Sequence, residues 1–213
     1  GLTAAGTVAV NDYAVAIAST QGVDAAMEAG DLRATVLSMG GHGGNGWASF
    51  LGADAASFAP AALGGRAART AERSENPVSL EPGAYTVVLA PEAVADIVAF
   101  FGFVGFSGKA FAEGGSFLCD ALGTSIMDGR ISIYDDALAP GTIGLSFDYE
   151  GQPKHRTPLI EGGVAVGPVT DSYFARKLSL PNTGHALPAP NPYGPIALNL
   201  EMAAGDATVE DMI

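Results

Sequence analysis

The sequence has 213 residues, 48% of them apolar and 15% charged, a length that fits one or two compact domains. It carries 23 Asp and Glu residues against 10 Lys and Arg residues, a formal net charge of −13. The charge argues against direct nucleic-acid binding, because affinity for phosphate backbones comes mostly from cationic side chains that displace counterions.

The cysteine content and the terminal sequences indicate where the protein works. Cys119 is the single cysteine, so no internal disulfide can form and nothing points to secretion. No run reaches the roughly 18 uninterrupted apolar residues of a spanning helix, and no basic-then-apolar signal opens the sequence. We therefore expect a cytoplasmic protein that does not contact membranes. Because the sequence opens at Gly1 without methionine and stops at Ile213 after an apparent strand and turn, we also expect a fragment.

The first third of the sequence has the two-residue period of strands. Apolar residues alternate with small or polar ones over 13–17 and again over 32–39, which predicts two strands with one buried face each. The glycine-rich stretch 40–46 then predicts a tight turn into a third strand over 47–50. The 29 glycines and 13 prolines fall between such short runs, as is typical of many strands joined by turns.

The period becomes helical between residues 54 and 76. Leu63, Ala67, Ala68 and Ala71 share one helical face, and the Asn-Pro pair at 76 and 77 is a stop signal. Residues 1–76 are therefore predicted to form a strand-rich region that ends in a helix.

Residues 77–213 are predicted to form a second region. The run Tyr85–Leu89 is too apolar for an exposed edge and predicts a central strand. Pro91 suits the first turn of a helix, because it needs no backbone donor there. The apolar residues that follow fall at the spacing of one buried stripe: Val94, Ile97, Val98 and Phe101.

The remaining elements are short. Strands are predicted over 131–134, 143–147 and 196–202, and two apolar runs around Gly162 and Gly163 predict a hairpin. Asp171 is predicted to cap a helix that runs through Leu178. The predicted fold class is α+β and strand-rich, with mostly antiparallel sheets in a sandwich or partly closed barrel and two or three short helices.

The residues suited to metal binding or nucleophilic catalysis are scattered. His42, His155 and His185 each lack a second His or Cys within four residues, so no local zinc site is predicted, while assembly from distant segments stays open. Cys119 lies among apolar residues with no basic neighbour, as expected for a small buried hydrophobe. The acidic pairs at 135–136 and 148–150 favour turn and cap roles over a calcium site or an acid–base pair.

The densest polar cluster spans residues 170–178 and is followed by the turn 182–185. On a helix, residues four apart share a face, which applies both to Tyr173 with Lys177 and to Ser172 with Arg176. The spacing alone predicts a short polar helix beside a turn, with a ligand site as the alternative.

The order of these segments resembles the TldD/PmbA family, historically called modulators of DNA gyrase. The segments that carry the resemblance are 82–89, 116–118, 133–136, 147–151, 159–164, 170–178 and 182–186. Together they cover most of residues 77–213, which resemble the family's C-terminal β domain cut short at its end. Residues 1–76 resemble the family's strand-rich middle portion, and its usual N-terminal α/β region has no counterpart.

The resemblance implies cytoplasmic peptidases that trim unfolded or modified peptides as dimers of related subunits. In the active subunit of the family, a His-Glu-x-x-x-His motif on the helix after the central strand holds zinc, with a cysteine near the C-terminus. The matching positions here fall at about Ala99, Phe100 and Phe103, none of which offers a lone pair to zinc. The turn around His185 also resembles the PmbA/TldE-like branch, which lacks the zinc motif.

We therefore expect a noncatalytic subunit that lines a peptide channel, with no metal or catalytic residue of its own and with zinc held by a homologous catalytic partner. Its expected ligands are unfolded or modified peptides, and a homodimer is the other expected assembly. The candidate cleft residues are Asp171, Ser172, Tyr173, Arg176, Lys177, Thr183 and His185. Two alternatives stay open: an active metallopeptidase that uses His155, His185 and a carboxylate, and a non-proteolytic module that acts on gyrase or another partner.

Overall fold

The computed structural model describes residues 1–142 and 144–213, which divide into two compact units. The first unit contains residues 1–14 and 28–85 together with 141 and 142. The second contains residues 15–27, 86–140 and 144–213. The division into domains at residues 76 and 77 stays a prediction.

The first sheet has three strands in the order β1 (Thr3–Ala18), β2 (Asp24–Met39) and β3 (Asn45–Gly52). β2 and β3 are antiparallel, with Leu37 opposite Trp47. Only β2 borders β1 among the described residues, so β1 is an edge strand.

A helix covers one face of β3. After a single 3-10 turn (Ala55–Ser57), α1 (Pro60–Arg73) turns the predicted face inward. Its Leu63 and Ala67 pack with three small or aliphatic residues of the sheet, Leu32, Ala34 and Ala48. The helix backbone lies directly on the strand, since a Cβ at Gly46 would fall 1.9 Å from the Ala67 carbonyl oxygen.

The second unit is built on a four-stranded antiparallel sheet and four helices. The strands are β4 (Ile133–Asp135), β5 (Thr157–Glu161), β6 (Val164–Ala165) and β7 (Leu200–Met202), in the order β6-β5-β4-β7. The helices are α2 (Pro91–Val104), α3 (Gly108–Ala112), α4 (Ser172–Leu178) and α5 (Val209–Met212). Their core is formed by fully buried apolar side chains that include Phe106, Leu118, Leu159, Ile160 and Val169.

The helix α2 is apolar on two sides. Val98 and Gly102 are buried, and a Cβ at Gly102 would lie 2.8 Å from the Ala197 carbonyl oxygen. The opposite side exposes four large apolar residues, Ile97, Phe100, Phe103 and Val104.

The fold class predicted from the sequence is confirmed: the two sheets are antiparallel, and neither closes on itself within the described residues. The hairpin around Gly162 and Gly163 joins β5 to β6, and both glycines have positive φ, 54° and 77°. The described chain has five α-helices, three of which have seven residues or fewer. No described helix has both the length and the continuous apolar character needed to cross a bilayer.

Two strand predictions are wrong. Tyr85–Leu89 pairs with no strand among residues 1–142 and 144–213. Its apolar composition predicts burial, but composition alone does not supply a neighbouring strand. Residues 144–147 also lie outside the named strands, with only Phe147 bridging to Pro153, and Ile143 falls outside the described residues. The predicted final strand is confined to Leu200–Met202.

Candidate functional site

The helix α4 is fixed at its N-terminus by two carboxylates. Asp171 accepts a hydrogen bond from the Phe174 backbone N–H at 2.8 Å, which confirms the predicted cap. Glu150 accepts from the backbone N–H of Ser172 at 2.9 Å and from its hydroxyl at 2.7 Å. Negative charge is favourable at a helix N-terminus, where backbone N–H groups have no helical acceptor.

Two threonines close the segment that contains α4. The Thr170 backbone N–H donates to Thr183 Oγ1 at 2.7 Å, and the Thr183 backbone N–H donates to Thr170 Oγ1 at 3.1 Å. Each hydroxyl also donates to a carbonyl, that of Thr183 to Thr170 at 3.1 Å and that of Thr170 to Pro181 at 2.5 Å. Residues 171–182 therefore form a loop whose two ends are tied together.

The imidazole of His185 lies beneath this closure and has no solvent exposure. Its Nδ1 is 2.9 Å from Thr183 Oγ1. The Thr183 hydroxyl oxygen therefore links the Thr170 backbone to the imidazole.

The other imidazole nitrogen faces a buried carboxylate. Nε2 of His185 is 2.9 Å from Oδ1 of Asp135, whose side chain is 1% exposed. The distance is that of an ion pair, but the approach lacks the angle of a hydrogen bond, so Nε2 has no hydrogen-bond partner. We treat the contact as electrostatic. The second oxygen of Asp135 accepts from the Asn199 backbone N–H at 2.8 Å, which ties the contact to the segment before β7.

A second buried carboxylate and a half-buried lysine extend this network. Asp148 accepts three backbone N–H groups, those of Glu150, Gln152 and Ala186, each at 2.9 Å. Burial lowers the pKa of Lys154 below its ordinary value, and the charges of Asp135 and Asp148 oppose that shift. The turn role predicted for Asp148 is confirmed, whereas nothing in the sequence distinguished Lys154.

The pKa of Asp135 is also shifted. Burial by itself raises the pKa of this carboxyl, but the contact with His185, the charges of His185 and Lys154, and the Asn199 N–H together hold it below 3.8. Asp135 is therefore ionised at neutral pH. The network as a whole contains the carboxylates of Asp135 and Asp148 together with His185 and Lys154.

The seven candidate cleft residues fall into two groups. Asp171, Ser172, Thr183 and His185 use their polar atoms within the fold, as described above. Tyr173, Arg176 and Lys177 lie at the surface of α4, with Tyr173 60% exposed and Lys177 Nζ 5.8 Å from the centre of the Tyr173 ring. The structure thus brings all seven onto one segment and its closure, and direct contact with a peptide stays a prediction for the three exposed residues.

Zinc does not fit the α2 side chains that the resemblance aligns with the family's zinc motif. Ala99, Phe100 and Phe103 are exposed hydrocarbon, with no atom that coordinates a metal. Across residues 1–142 and 144–213, no group of three or more His, Cys, Asp or Glu side chains is arranged to hold a metal ion. Both nitrogens of His185 already face partners, Thr183 and Asp135.

Comparison with known proteins places this chain in a family. A model of the PmbA/TldA metallopeptidase C-terminal domain matches residues 82–213. The chain belongs to the PmbA/TldD metallopeptidase family. It is 33% identical over 112 residues to the metalloprotease PmbA of Escherichia coli O157:H7, a match that covers 50% of this chain and 25% of that protein.

Solved structures share the fold. One is a proposed modulator of a DNA gyrase from Thermotoga maritima MSB8, with a TM-score of 0.82 and 24% identity over 96% of this chain and 48% of that one. Another is TldE from Thermococcus kodakarensis, with a TM-score of 0.79 and 21% identity over 97% and 48% of the two chains. The chain spans a quarter of the curated relative and about half of these solved relatives.

Proposed function

We propose that this chain is part of a noncatalytic, TldE-like subunit of a cytoplasmic zinc-dependent protease complex that degrades or matures peptides. The observation that carries the proposal is in α2, where the resemblance aligns Ala99, Phe100 and Phe103, none of which can coordinate a metal, with the family's zinc motif. In this arrangement a homologous subunit holds the metal and cleaves the peptide, while this chain forms one wall of the channel.

The wall needs surfaces that hold peptides without reading their sequence. A strand edge can do this, because an extended peptide that adds to a sheet is bound through its backbone. The exposed part of α4 supplies side-chain contacts, since Tyr173 offers an aromatic face and Arg176 and Lys177 offer cations. The hydrogen bonds at the two ends of the segment hold the α4 backbone that carries these three side chains.

The proposal is tested by metal content and peptide hydrolysis, measured on the chain alone and on the chain mixed with a zinc-bearing homologue. We expect no stoichiometric zinc and no turnover for the chain alone, and turnover only in the mixture. Stoichiometric zinc together with hydrolysis by the isolated chain contradicts the proposal.

The peptide surface is tested separately by binding of a fluorescent unfolded peptide. We expect the double variant Tyr173→Ala, Lys177→Ala to weaken binding at least about fivefold, a loss of about 1 kcal/mol. Arg130→Ala is the matched control, because Arg130 is exposed and lies outside α4. Equal affinities for the two variants would remove α4 from the proposed wall.

The Escherichia coli relative is a metalloprotease, which favours an active peptidase as the second candidate. An active peptidase of this kind needs metal ligands such as His155, His185 and a carboxylate. His155 is exposed and can be changed without opening the core. Unchanged hydrolysis by a His155→Ala variant of an active preparation would eliminate this ligand set.

The description of the Thermotoga maritima relative favours a third candidate, a binding module that acts on gyrase. Affinity capture with this chain discriminates between the candidates. Recovery of a homologous subunit without a topoisomerase supports the protease complex, and recovery of a topoisomerase alone supports the gyrase module.

A further inference from the structure

The exposed side of α4 combines one aromatic ring with two cations. Tyr173, Arg176 and Lys177, here called the α4 face, are all exposed, and the two cations follow the tyrosine by three and four residues. Side chains at these spacings lie on the same side of a helix, with their Cβ atoms about 5–6 Å apart. A ligand that crosses this side of α4 therefore meets the ring and at least one cation together.

The ring of Tyr173 rests on a buried side chain. It packs edge-on against Phe174, at 4.9 Å between centroids and an interplanar angle of 88°, and Phe174 is only 8% exposed. Nζ of Lys177 lies 5.8 Å from the centre of the Tyr173 ring and 5.7 Å from that of Phe174. Contacts between a cation and aromatic rings position the ammonium group, but they do not neutralise its charge.

Neither cation of the α4 face forms an ion pair within residues 1–142 and 144–213. The two carboxylates at the N-terminus of α4 accept backbone N–H groups instead, Asp171 from Phe174 and Glu150 from Ser172. Other cations of the chain do form ion pairs with carboxylates, namely Arg33, Lys109, Arg130 and Arg156. In a chain with 23 Asp and Glu residues against 10 Lys and Arg residues, the α4 face thus carries positive charge that the fold does not neutralise.

The net charge of the chain acts over a longer range than these two cations. At −13 it repels an acidic ligand at a distance, and salt at about 0.15 M screens that repulsion beyond about 8 Å. A carboxylate in contact with a guanidinium or ammonium group lies well inside that distance, so this attraction is screened far less. For a bound ligand at physiological salt, the local charge of the α4 face therefore counts for more than the net charge.

The spacing on the α4 face fits an acidic segment of an extended peptide. Side chains two residues apart in such a peptide project from the same side, about 7 Å apart along the backbone, which is close to the spacing of the helix positions. A C-terminal carboxylate lies in line with the backbone instead of projecting beside an apolar side chain.

We propose that the α4 face selects unfolded peptide segments in which Asp or Glu stands two residues from an aromatic or aliphatic residue. The carboxylate contacts Arg176 or Lys177, and the apolar side chain lies against Tyr173. This inference rests on the proposed function, because it gives the wall of the peptide channel a preference among its ligands.

Fluorescence anisotropy with three amide-labelled peptides of equal length measures the preference. The first has one Phe and one Glu two residues apart and an amidated C-terminus, the second has Gln in place of the Glu, and the third has the same Gln and a free C-terminal carboxylate. At about 0.15 M NaCl we expect the first to bind at least about threefold more tightly than the second, the size of effect that exposed ion pairs give. We expect the third to bind like the second.

The possible results separate this inference from the proposed function. Measurable binding of the first peptide that is equal to or weaker than that of the second contradicts the preference and leaves the peptide wall intact. Binding of the third peptide as tightly as the first contradicts the proposal in favour of chain ends, since these two peptides carry the same charge. If none of the three peptides binds, the peptide wall and the preference both fail.

Matched double variants test whether the α4 face is the source of the preference. Arg176→Gln with Lys177→Gln removes both cations of the face, and Arg69→Gln with Arg73→Gln removes two exposed cations from α1, a helix without aromatic residues. Both variants change the net charge equally, and circular dichroism verifies that both are folded. We expect the difference between the first two peptides to vanish in the α4 variant and to persist in the α1 variant. A difference that persists in the α4 variant, or that vanishes in both, overturns the proposal.

Discussion

At the scale of single residues, the contact between His185 and Asp135 joins three parts of the second unit. Nδ1 of the imidazole contacts Thr183 in the Thr170–Thr183 closure, and Nε2 faces Asp135 on β4. Asp135 in turn accepts a hydrogen bond from the Asn199 backbone N–H in the segment before β7. A buried ion pair adds little net stability, because desolvation offsets the attraction, but loss of one partner leaves a buried charge uncompensated. The contact therefore fixes geometry more than it adds stability.

Removing the charge of Asp135 measures how strongly the fold depends on both partners being present. We expect Asp135→Asn to lower the free energy of unfolding by about 1–3 kcal/mol, because the buried Nε2 of His185 then loses the carboxylate that it faces. Urea unfolding of the two proteins measures the change. Asp128→Asn is the control: Asp128 pairs with Arg130 in an exposed setting, and we expect no measurable effect there. A similar midpoint for Asp135→Asn and the wild type would contradict the role of the contact.

The pH dependence of the same residue follows from its lowered pKa. The folded-state pKa of Asp135 lies below its ordinary value of 3.8, so its stabilising contribution is present above that pH and is lost as the pH falls through the folded-state pKa. We expect the stability difference between the wild type and Asp135→Asn to shrink as the pH falls below about 4. Unfolding midpoints measured from pH 7 to pH 3 give the result, and parallel curves down to pH 3 would refute it.

The sequence identifies some of these residues and not others. Asp171 could be predicted as a cap because a short polar side chain before a helix has a local role. The burial of His185 could not be predicted, since the carboxylate that its Nε2 faces, Asp135, comes from a distant part of the chain and no spacing rule relates the two. Nothing in the sequence indicated that Lys154 would lie near two carboxylates.

At the scale of elements, the contact of β3 with α1 depends on the absence of a side chain. A Cβ at Gly46 would fall 1.9 Å from the Ala67 carbonyl oxygen and 2.5 Å from the Ala71 nitrogen, both backbone atoms that cannot rotate away. The strand and helix would have to separate to admit even a methyl group.

Two alanine substitutions in the first unit therefore have opposite expected effects. Gly46→Ala should destabilise the unit by about 1–3 kcal/mol or more through overpacking. Gly64→Ala should stabilise it by about 0.5–1 kcal/mol, because Gly64 lies within α1 and a Cβ there meets nothing within 4 Å. Thermal unfolding monitored by circular dichroism measures both. Two shifts of the same sign would contradict the packing described for β3 and α1.

The cap of α4 gives a third test at this scale. Asp171→Ala removes the acceptor for the Phe174 N–H and should cost about 1 kcal/mol, whereas Asp171→Ser keeps an acceptor and should cost less. Chemical denaturation of the three proteins measures the order. If the alanine and serine variants were equally stable, the cap would contribute nothing to α4.

Elements with local signals were predicted and those that depend on distant partners were not. The helices α1 and α2 carry periodic apolar residues and an early proline, and the β5–β6 hairpin carries a glycine pair, so each follows from neighbouring residues. Tyr85–Leu89 pairs with no strand among residues 1–142 and 144–213, since composition alone does not supply a neighbouring strand. The run can therefore have strand composition without forming a ladder.

At the scale of the whole molecule, the acidic balance affects stability in solution. With a formal net charge of −13, the folded chain repels itself, and salt screens that repulsion over about 8 Å at 0.15 M. We expect Tm to rise between about 0.01 and 0.15 M NaCl at pH 7. The rise should vanish near the sequence pI of about 4.3, which serves as the control condition. The same salt response at both pH values would mean that net charge is not its cause.

The position of β1 at the margin of the first sheet affects how concentrated solutions of this chain behave. Its 16 residues contain one charge, Asp12, and no lysine, arginine or proline, while Val8 and Val10 are 66% and 67% exposed. Natural sheets normally protect such margins with charge or proline. Stored samples should therefore convert slowly into thioflavin-positive fibrils that grow by strand addition, and a lysine introduced at Val8 should prolong the lag before they form.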